Sequence, residues 1–269
     1  MEAFLSRECA IIAGGEEIVS ASAQMTLRER VRALVKRFRQ VYPNAHCELD
    51  FKNPLQLLIA TILSAQCTDK RVNMVTPKLF KKYPTAAAFA NSNPATLENE
   101  IRSTGFFRSK TKNIRAAAAK IVSDYAGKVP QTMEDLTALP GVGRKTANVV
   151  LGNAFGKNVG IVVDTHVVRL ANRLRLTKQS DPEKIEQDLM ILVPRTDWTL
   201  WSHWLIWHGR RRCFARKPDC SNCEVFALCP SGKIFLSTGE AREPEPGQIK
   251  SSRRIAVRTR ARLPVRASG

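Results

Sequence analysis

The chain of 269 residues carries a formal net charge of +19 and a pI near 10.1. Its length supports a sizeable core without disulfide staples, and its charge suits a polyanionic partner, either nucleic acid or an anionic membrane surface. No window approaches eighteen uninterrupted apolar residues, so no membrane span is expected; seven cysteines, four of them crowded between Cys213 and Cys229, argue against a secreted disulfide framework and for a metal site in a reducing compartment.

Residues 1–24 hold four Glu against one Arg and read as a disordered N-terminal extension. Ala21-Ser22-Ala23 imitates a signal-peptidase site, but Glu2 stands where positive charge belongs and Glu16 with Glu17 interrupts the apolar run, so no signal peptide is expected. With −3 on these residues and +5 on 239–269, the stretch between them keeps +17, so the expected folded body is itself basic.

Thr26 and Glu29 form a capping-box pattern that opens the first helix. Val31, Leu34, Val35, Phe38 and Val41 recur on one face, and Arg28, Arg30, Arg32, Lys36 and Arg39 occupy the other. Helical patterns follow at 54–64, 70–82, 94–103, 109–125, 132–138, 144–155, 165–175, 182–192 and 198–208. Pro54, Pro94 and Pro182 fall at first-turn positions, and Gly127 and Gly156 follow last turns. Gly160–Val163 is too short to seed a sheet, so the predicted class is all-α with about ten helices. Trp198, Trp201, Trp204 and Trp207 recur every three residues, each stepping back about 60° around a helix, which suits core and interdomain packing better than a single stacking surface. The residues after 231 read as a disordered basic tail, either a salt-sensitive DNA contact or a solubilising segment.

The stretch Leu139–Lys145, LPGVGRK, sets two glycines before a helix start. Gly141 and Gly143 can take backbone angles closed to residues with a Cβ and leave nearby amides bare. The free N–H groups and dipole of the helix from Arg144 face the same turn, which makes a phosphate site. An ordinary helix connection is the plainer reading of GVG alone. Lys145 lies in the first turn of that helix, where the dipole opposes a positive charge and so favours a nucleophilic amine able to form a Schiff base with a sugar aldehyde equivalent. On position alone, a solvated lysine donating to phosphate is the plainer reading. Asp164 precedes Thr165–Leu170 and is placed as an N-cap; the ionised carboxylate favoured there could also stabilise a cationic sugar transition state. His166 could touch a lesion or a phosphate, or be a satisfied polar group.

Cys213, Cys220, Cys223 and Cys229 form a C-x6-C-x2-C-x5-C ladder that can deliver four thiolates to one centre. Structural zinc usually joins two close pairs across a longer loop, so the spacing favours iron–sulfur while leaving zinc open. Arg216 and Lys217, displayed between the first two cysteines, are candidate phosphate contacts. Cys9, Cys47 and Cys67 lack partners at such spacing and read as ordinary thiols.

LPGVGRKTANVV followed by VDTH closely resembles the endonuclease III family, bifunctional DNA glycosylases and abasic-site lyases with a helix-hairpin-helix, and the resemblance runs from about residue 26 to 231. It implies that Lys145 is the Schiff-base lysine and Asp164 the essential carboxylate, and that the cysteine ladder holds a [4Fe-4S] cluster which keeps the basic loop in shape. Leu63-Ser-Ala-Gln66 matches the segment that supplies a glutamine wedge to the gap left by the flipped nucleotide, and Thr104–Lys110 matches a second wedge loop in which relatives often place Leu and this chain has Phe106. Without the resemblance, Gln66 would be a helix-end polar residue and Phe106 a core residue. The implied architecture has two all-α lobes flanking a DNA cleft: a six-helix domain at 47–158 carrying the hairpin, and an iron–sulfur domain built from 25–46 and 159–231.

The implied substrate is double-stranded DNA carrying oxidised pyrimidines or abasic sites, acted on by a monomer in the bacterial cytoplasm, at the nucleoid. Two rivals stand: an adenine DNA glycosylase of the same superfamily, which normally lacks this lysine and carries a further C-terminal domain, and a non-catalytic DNA-binding or redox module on the same fold.

Overall fold

The computed structural model describes residues 25–238; the expectations for 1–24 and 239–269 lie outside the described residues. Twelve α-helices, α1 (Leu27–Val41), α2 (Pro54–Leu63), α3 (Asp69–Lys82), α4 (Ala86–Ala90), α5 (Pro94–Ile101), α6 (Phe107–Tyr125), α7 (Met133–Thr137), α8 (Arg144–Phe155), α9 (Thr165–Arg173), α10 (Pro182–Leu192), α11 (Trp198–Arg211) and α12 (Gly232–Thr238), follow one another with no strand among the described residues. The all-α expectation holds.

Local chemistry explains most boundaries. Thr26 and Glu29 close the capping box on α1 from both sides, and Asn53, Thr68, Thr85, Asn93, Thr132, Asp164 and Asp181 each cap the following helix by accepting a backbone N–H. Pro54, Pro94 and Pro182 sit in the first turns, where no intrahelical donor is lost. Helix α4, AAAFA, escapes the sequence pattern because five residues show too little periodicity; Phe89 anchors it in the core. Helix α12 corrects the expectation that the chain frays after residue 231: Phe235 is buried and the Arg173 guanidinium stacks over its ring at 4.9 Å.

The buried apolar side chains form two clusters. One draws on residues from Leu49 to Leu151; the other joins α1 and Ala45 to residues from Ile161 to Val225. Trp201 and Trp204 are fully buried in the second, where Phe38 of α1 meets Trp201 edge-on at 5.9 Å. Arg30, predicted on the solvent face of α1, is instead buried and donates to the carbonyls of Leu174 and Arg175 beyond α9, satisfying a helix C-terminus with a cation.

Candidate active site and nucleic-acid interface

The hairpin is assembled by Thr132, which caps α7, and by a turn closed by the Val142 amide on the Leu139 carbonyl at 3.1 Å. Gly141 takes φ +77°, and a Cβ there would stand 2.6 Å from the Asn113 side chain of α6. Gly143 departs from expectation: its φ of −96° and ψ of 176° are extended, and open space surrounds its missing Cβ. Only the first glycine is required by conformation. Gly143 is the N-cap of α8 and supplies no side-chain acceptor, so the first-turn amides, left without an intrahelical partner, face a turn stripped of side chains.

Arg144 does not extend freely from this turn. Its guanidinium donates to both oxygens of Glu186 in α10, at 2.7 and 3.2 Å, and Asn148 Nδ2 donates to Glu186 Oε1 at 2.8 Å. The Glu186 carboxylate is buried, so the pair lets a charge sit inside the protein. A phosphate contact through the Arg144 side chain would have to share a guanidinium already engaged with Glu186 through Nε and Nη2. Gly160 packs on the same node, since a Cβ there would lie 2.1 Å from Glu186 Oε1 and 2.6 Å from Asn148 Oδ1. Glu186 therefore joins the helix that carries Lys145 to the segment that leads to Asp164.

Lys145 is exposed, and its ammonium makes no hydrogen bond or ion pair among the described residues. Asp164 ends the extended run Ile161-Val162-Val163, which is fixed to α11 by the Val162 amide donating to Ser202 Oγ at 2.9 Å. Asp164 Oδ1 accepts the Val167 amide at 2.9 Å, so the carboxylate caps α9 as the sequence suggests. His166 is held within the protein: Arg169 Nη2 donates to its Nδ1 at 3.1 Å, and Gly209 of α11 packs so closely that a Cβ would meet that nitrogen at 2.8 Å. Burial lowers the His166 pKa, against the opposing pull of Asp164, and the neutral ring is the form able to accept from Arg169. One of its ring nitrogens is thus partnered within the protein.

Gln66 and Phe106 share an uncommon backbone. Gln66 has φ 54° after the end of α2, and Phe106 has φ 48° at the entrance to α6; both side chains are exposed, Phe106 by 63 %. The core-packing reading of Phe106 is excluded, and the exposed ring is available to a partner.

The four cysteines of the ladder line a common cavity with Arg173, His208 and Phe235. Among the described residues, no three His, Cys, Asp or Glu groups converge tightly enough to hold a single metal ion. Burial first, and neighbouring thiols next, push Cys220 up to about 11; burial drives Cys223 up to about 12 and also raises Cys229. Thiols so crowded require compensating positive charge to ionise together. Arg173 Nη1 donates to Cys213 Sγ at 3.3 Å and His208 Nε2 stands 3.5 Å from Cys223 Sγ, so a guanidinium and an imidazole already face the sulfurs.

Between the first two cysteines, Arg216 and Lys217 are exposed. Their loop is gripped by two arginines of α9 that sequence reasoning passed over. Arg173 donates to the carbonyls of Phe214 and Ala215, both at 2.7 Å, and Arg169 donates to the Cys213 carbonyl at 3.0 Å and that of Gly209 at 3.0 Å. One helix, capped by Asp164, thus supports both the carboxylate and the basic loop. The i, i+4 spacing of Arg169 and Arg173 was the available signal.

Residues 59–195 match the model of the HhH-GPD superfamily of base excision DNA repair proteins. Endonuclease III of a Synechocystis strain is 54 % identical over 206 residues, covering 77 % of this chain and 94 % of that protein. The chain belongs to the endonuclease III family. Endonuclease III of Bacillus subtilis is 41 % identical over 206 residues, 76 % of this chain and 94 % of its own. A solved non-covalent endonuclease III–DNA complex superimposes with a TM-score of 0.75 at 41 % identity, covering 79 % of this chain and all of that one. Membership makes the chain a base excision repair glycosylase and lyase, and no helix among the described residues is long and apolar enough to cross a membrane.

Proposed function

We propose that this enzyme removes oxidised pyrimidines from double-stranded DNA and cleaves the resulting abasic site, with Lys145 as nucleophile and Asp164 as its supporting carboxylate. The observation that carries the reading is the exposed, unpaired Lys145 in the first turn of an uncapped helix behind the Gly141 turn. DNA phosphates flanking the lesion bind the hairpin amides of Gly143 and Arg144, Gly141 shapes the turn, and Arg216 and Lys217 hold the backbone further along. Lys145 Nζ attacks C1′ while the C1′–N bond to the base breaks, and Asp164 stabilises the positive charge that develops on the sugar. The resulting aminal opens its ring: the C1′–O4′ bond breaks, O4′ takes up the proton released by the amine, and a Schiff base forms between C1′ and Nζ; this acidifies C2′, loss of that proton expels the 3′ phosphate, and water releases the lysine. Gln66 and Phe106 occupy the space vacated by the flipped nucleotide, with His166 beside the carboxylate.

Cys213, Cys220, Cys223 and Cys229 would hold a [4Fe-4S] cluster, which neutralises the four thiolates and fixes the basic loop. The four ladder cysteines lining one cavity, at a spacing unlike the two close pairs usual for structural zinc, support the cluster. Iron with acid-labile sulfide and a visible absorption band is the expected composition, whereas zinc alone would overturn it. We place the protein in a bacterial cytoplasm, on the strength of its bacterial relatives, and propose that it works there as a monomer at the nucleoid. Duplexes bearing an oxidised pyrimidine, or adenine opposite an oxidised purine, test the substrate: release of the pyrimidine supports the reading, and release of adenine instead contradicts it.

A further inference from the structure

Lys110 of α6 is a buried lysine that the proposed reaction does not use, with 4 % of its surface exposed. Its Nζ donates to the Leu63 carbonyl at 2.7 Å and to the Thr104 carbonyl at 2.8 Å. Leu63 is the last residue of α2, and Thr104 ends the 3₁₀ turn Arg102–Thr104. The ammonium therefore closes two helical C-termini at once, where carbonyls lack intrahelical donors and the dipole favours a cation. The Lys110 backbone amide also donates to the Phe106 carbonyl at 3.0 Å.

What leaves those two termini is decisive. Three residues beyond Leu63 stands Gln66, and two beyond Thr104 stands Phe106, the exposed pair with left-handed backbones. Such conformations in non-glycine residues persist only where surrounding contacts over-determine them. Lys110 supplies such contacts to both segments from one side chain. The two proposed wedges lie 40 positions apart in sequence, and this ammonium ties together the chain just before each.

We propose that Lys110 is a positioning residue that locks the Gln66 and Phe106 loops into one rigid wedge, so that recognition of a gap in the DNA stack depends on it. The inference rests on the reading of Gln66 and Phe106 as gap-filling residues. Because the Lys110 ammonium is buried and donates its hydrogen bonds to backbone carbonyls, it acts without touching DNA; its loss should impair recognition of a flipped site while sparing non-specific affinity, which phosphate contacts supply.

The test compares binding to a duplex containing a stable abasic-site analogue with binding to the same duplex undamaged. Lys110→Met keeps the length of the side chain and removes both donations. The expected result is a preference for the abasic duplex reduced by about tenfold, the equivalent of one hydrogen bond to a charged group, with affinity for undamaged DNA unchanged. In a background of Gln66→Ala with Phe106→Ala, Lys110→Met should lower the preference no further. If Lys110→Met does not fold, Lys110→Gln, which retains one donating group, carries the same comparison. Full preference in either variant, equal loss on both duplexes, or a further loss in the wedge-free background would overturn the proposal. Borohydride trapping of the wild type on abasic DNA stands apart: failure to trap refutes the lyase reading, whereas trapping with preference intact in Lys110→Met refutes only the positioning role.

Discussion

Gly141 combines φ +77° with an Asn113 side chain 2.6 Å from where a Cβ would stand. Alanine there meets left-handed strain of roughly 1–2 kcal/mol before the collision is counted, so Gly141→Ala should unfold at clearly lower urea and bind abasic duplex less tightly. Gly143→Ala should shift stability by no more than about 0.5 kcal/mol, because its backbone is extended and its surroundings open. Equal losses in urea titrations of the two variants would refute the distinction. The spacing PGVG marks a turn but does not say which glycine carries the positive φ. Asp164, Lys145 and the cysteine ladder were legible because each contributes through a local position, a cap, a first turn or a short spacing. Lys110, Glu186, Arg169 and Arg173 were not, because their partners are distant in sequence: Leu63 lies 47 residues from Lys110, and the Cys213 carbonyl 44 from Arg169.

Helices α8 and α10 are coupled through Arg144, Asn148 and Glu186. The Glu186 side chain is 5 % exposed while that of Arg144 is 41 % exposed, so removing the arginine strands a buried carboxylate beside one remaining amide donor. Arg144→Ala should therefore cost roughly 2 kcal/mol, short of the cost for a pair buried on both sides, and should leave the salt dependence of DNA binding nearly unchanged. Were Arg144 chiefly a phosphate contact, stability would hold and the slope of log affinity against log salt would fall by about one. At this scale the sequence was a good guide wherever a capping residue and an apolar period coincide, as in α1 and α10. It failed for α4, whose alanines carry no period, and for α12, where buried Phe235 stands between exposed Ile234 and Leu236. It also stopped α11 short of Arg211, because the charged last turn lacks apolar residues.

Across the whole molecule, two apolar cores meet where α8 faces α11. There His203 of α11 donates through Nε2 to Asn153 Oδ1 of α8 at 2.7 Å, and burial lowers its pKa from 6.5 to about 4. Since the folded state disfavours protonation, the unfolded chain binds more protons below pH 6.5; stability is complete above that pH and is lost as pH falls towards 4. The loss should approach about 3 kcal/mol from this group, and His203→Gln should flatten the dependence in urea titrations between pH 7 and 4.5; an unaltered profile would contradict the assignment. The same junction brings the hairpin and the Asp164 segment together through Glu186, so the arrangement proposed for catalysis is a property of both cores. The most direct measurement of the central claim is to reduce the enzyme–abasic DNA intermediate with borohydride, digest it and locate the sugar by mass spectrometry. The adduct should lie on Lys145 and vanish in Lys145→Ala; a sugar found on any other residue, or an adduct that survives that substitution, would contradict the account.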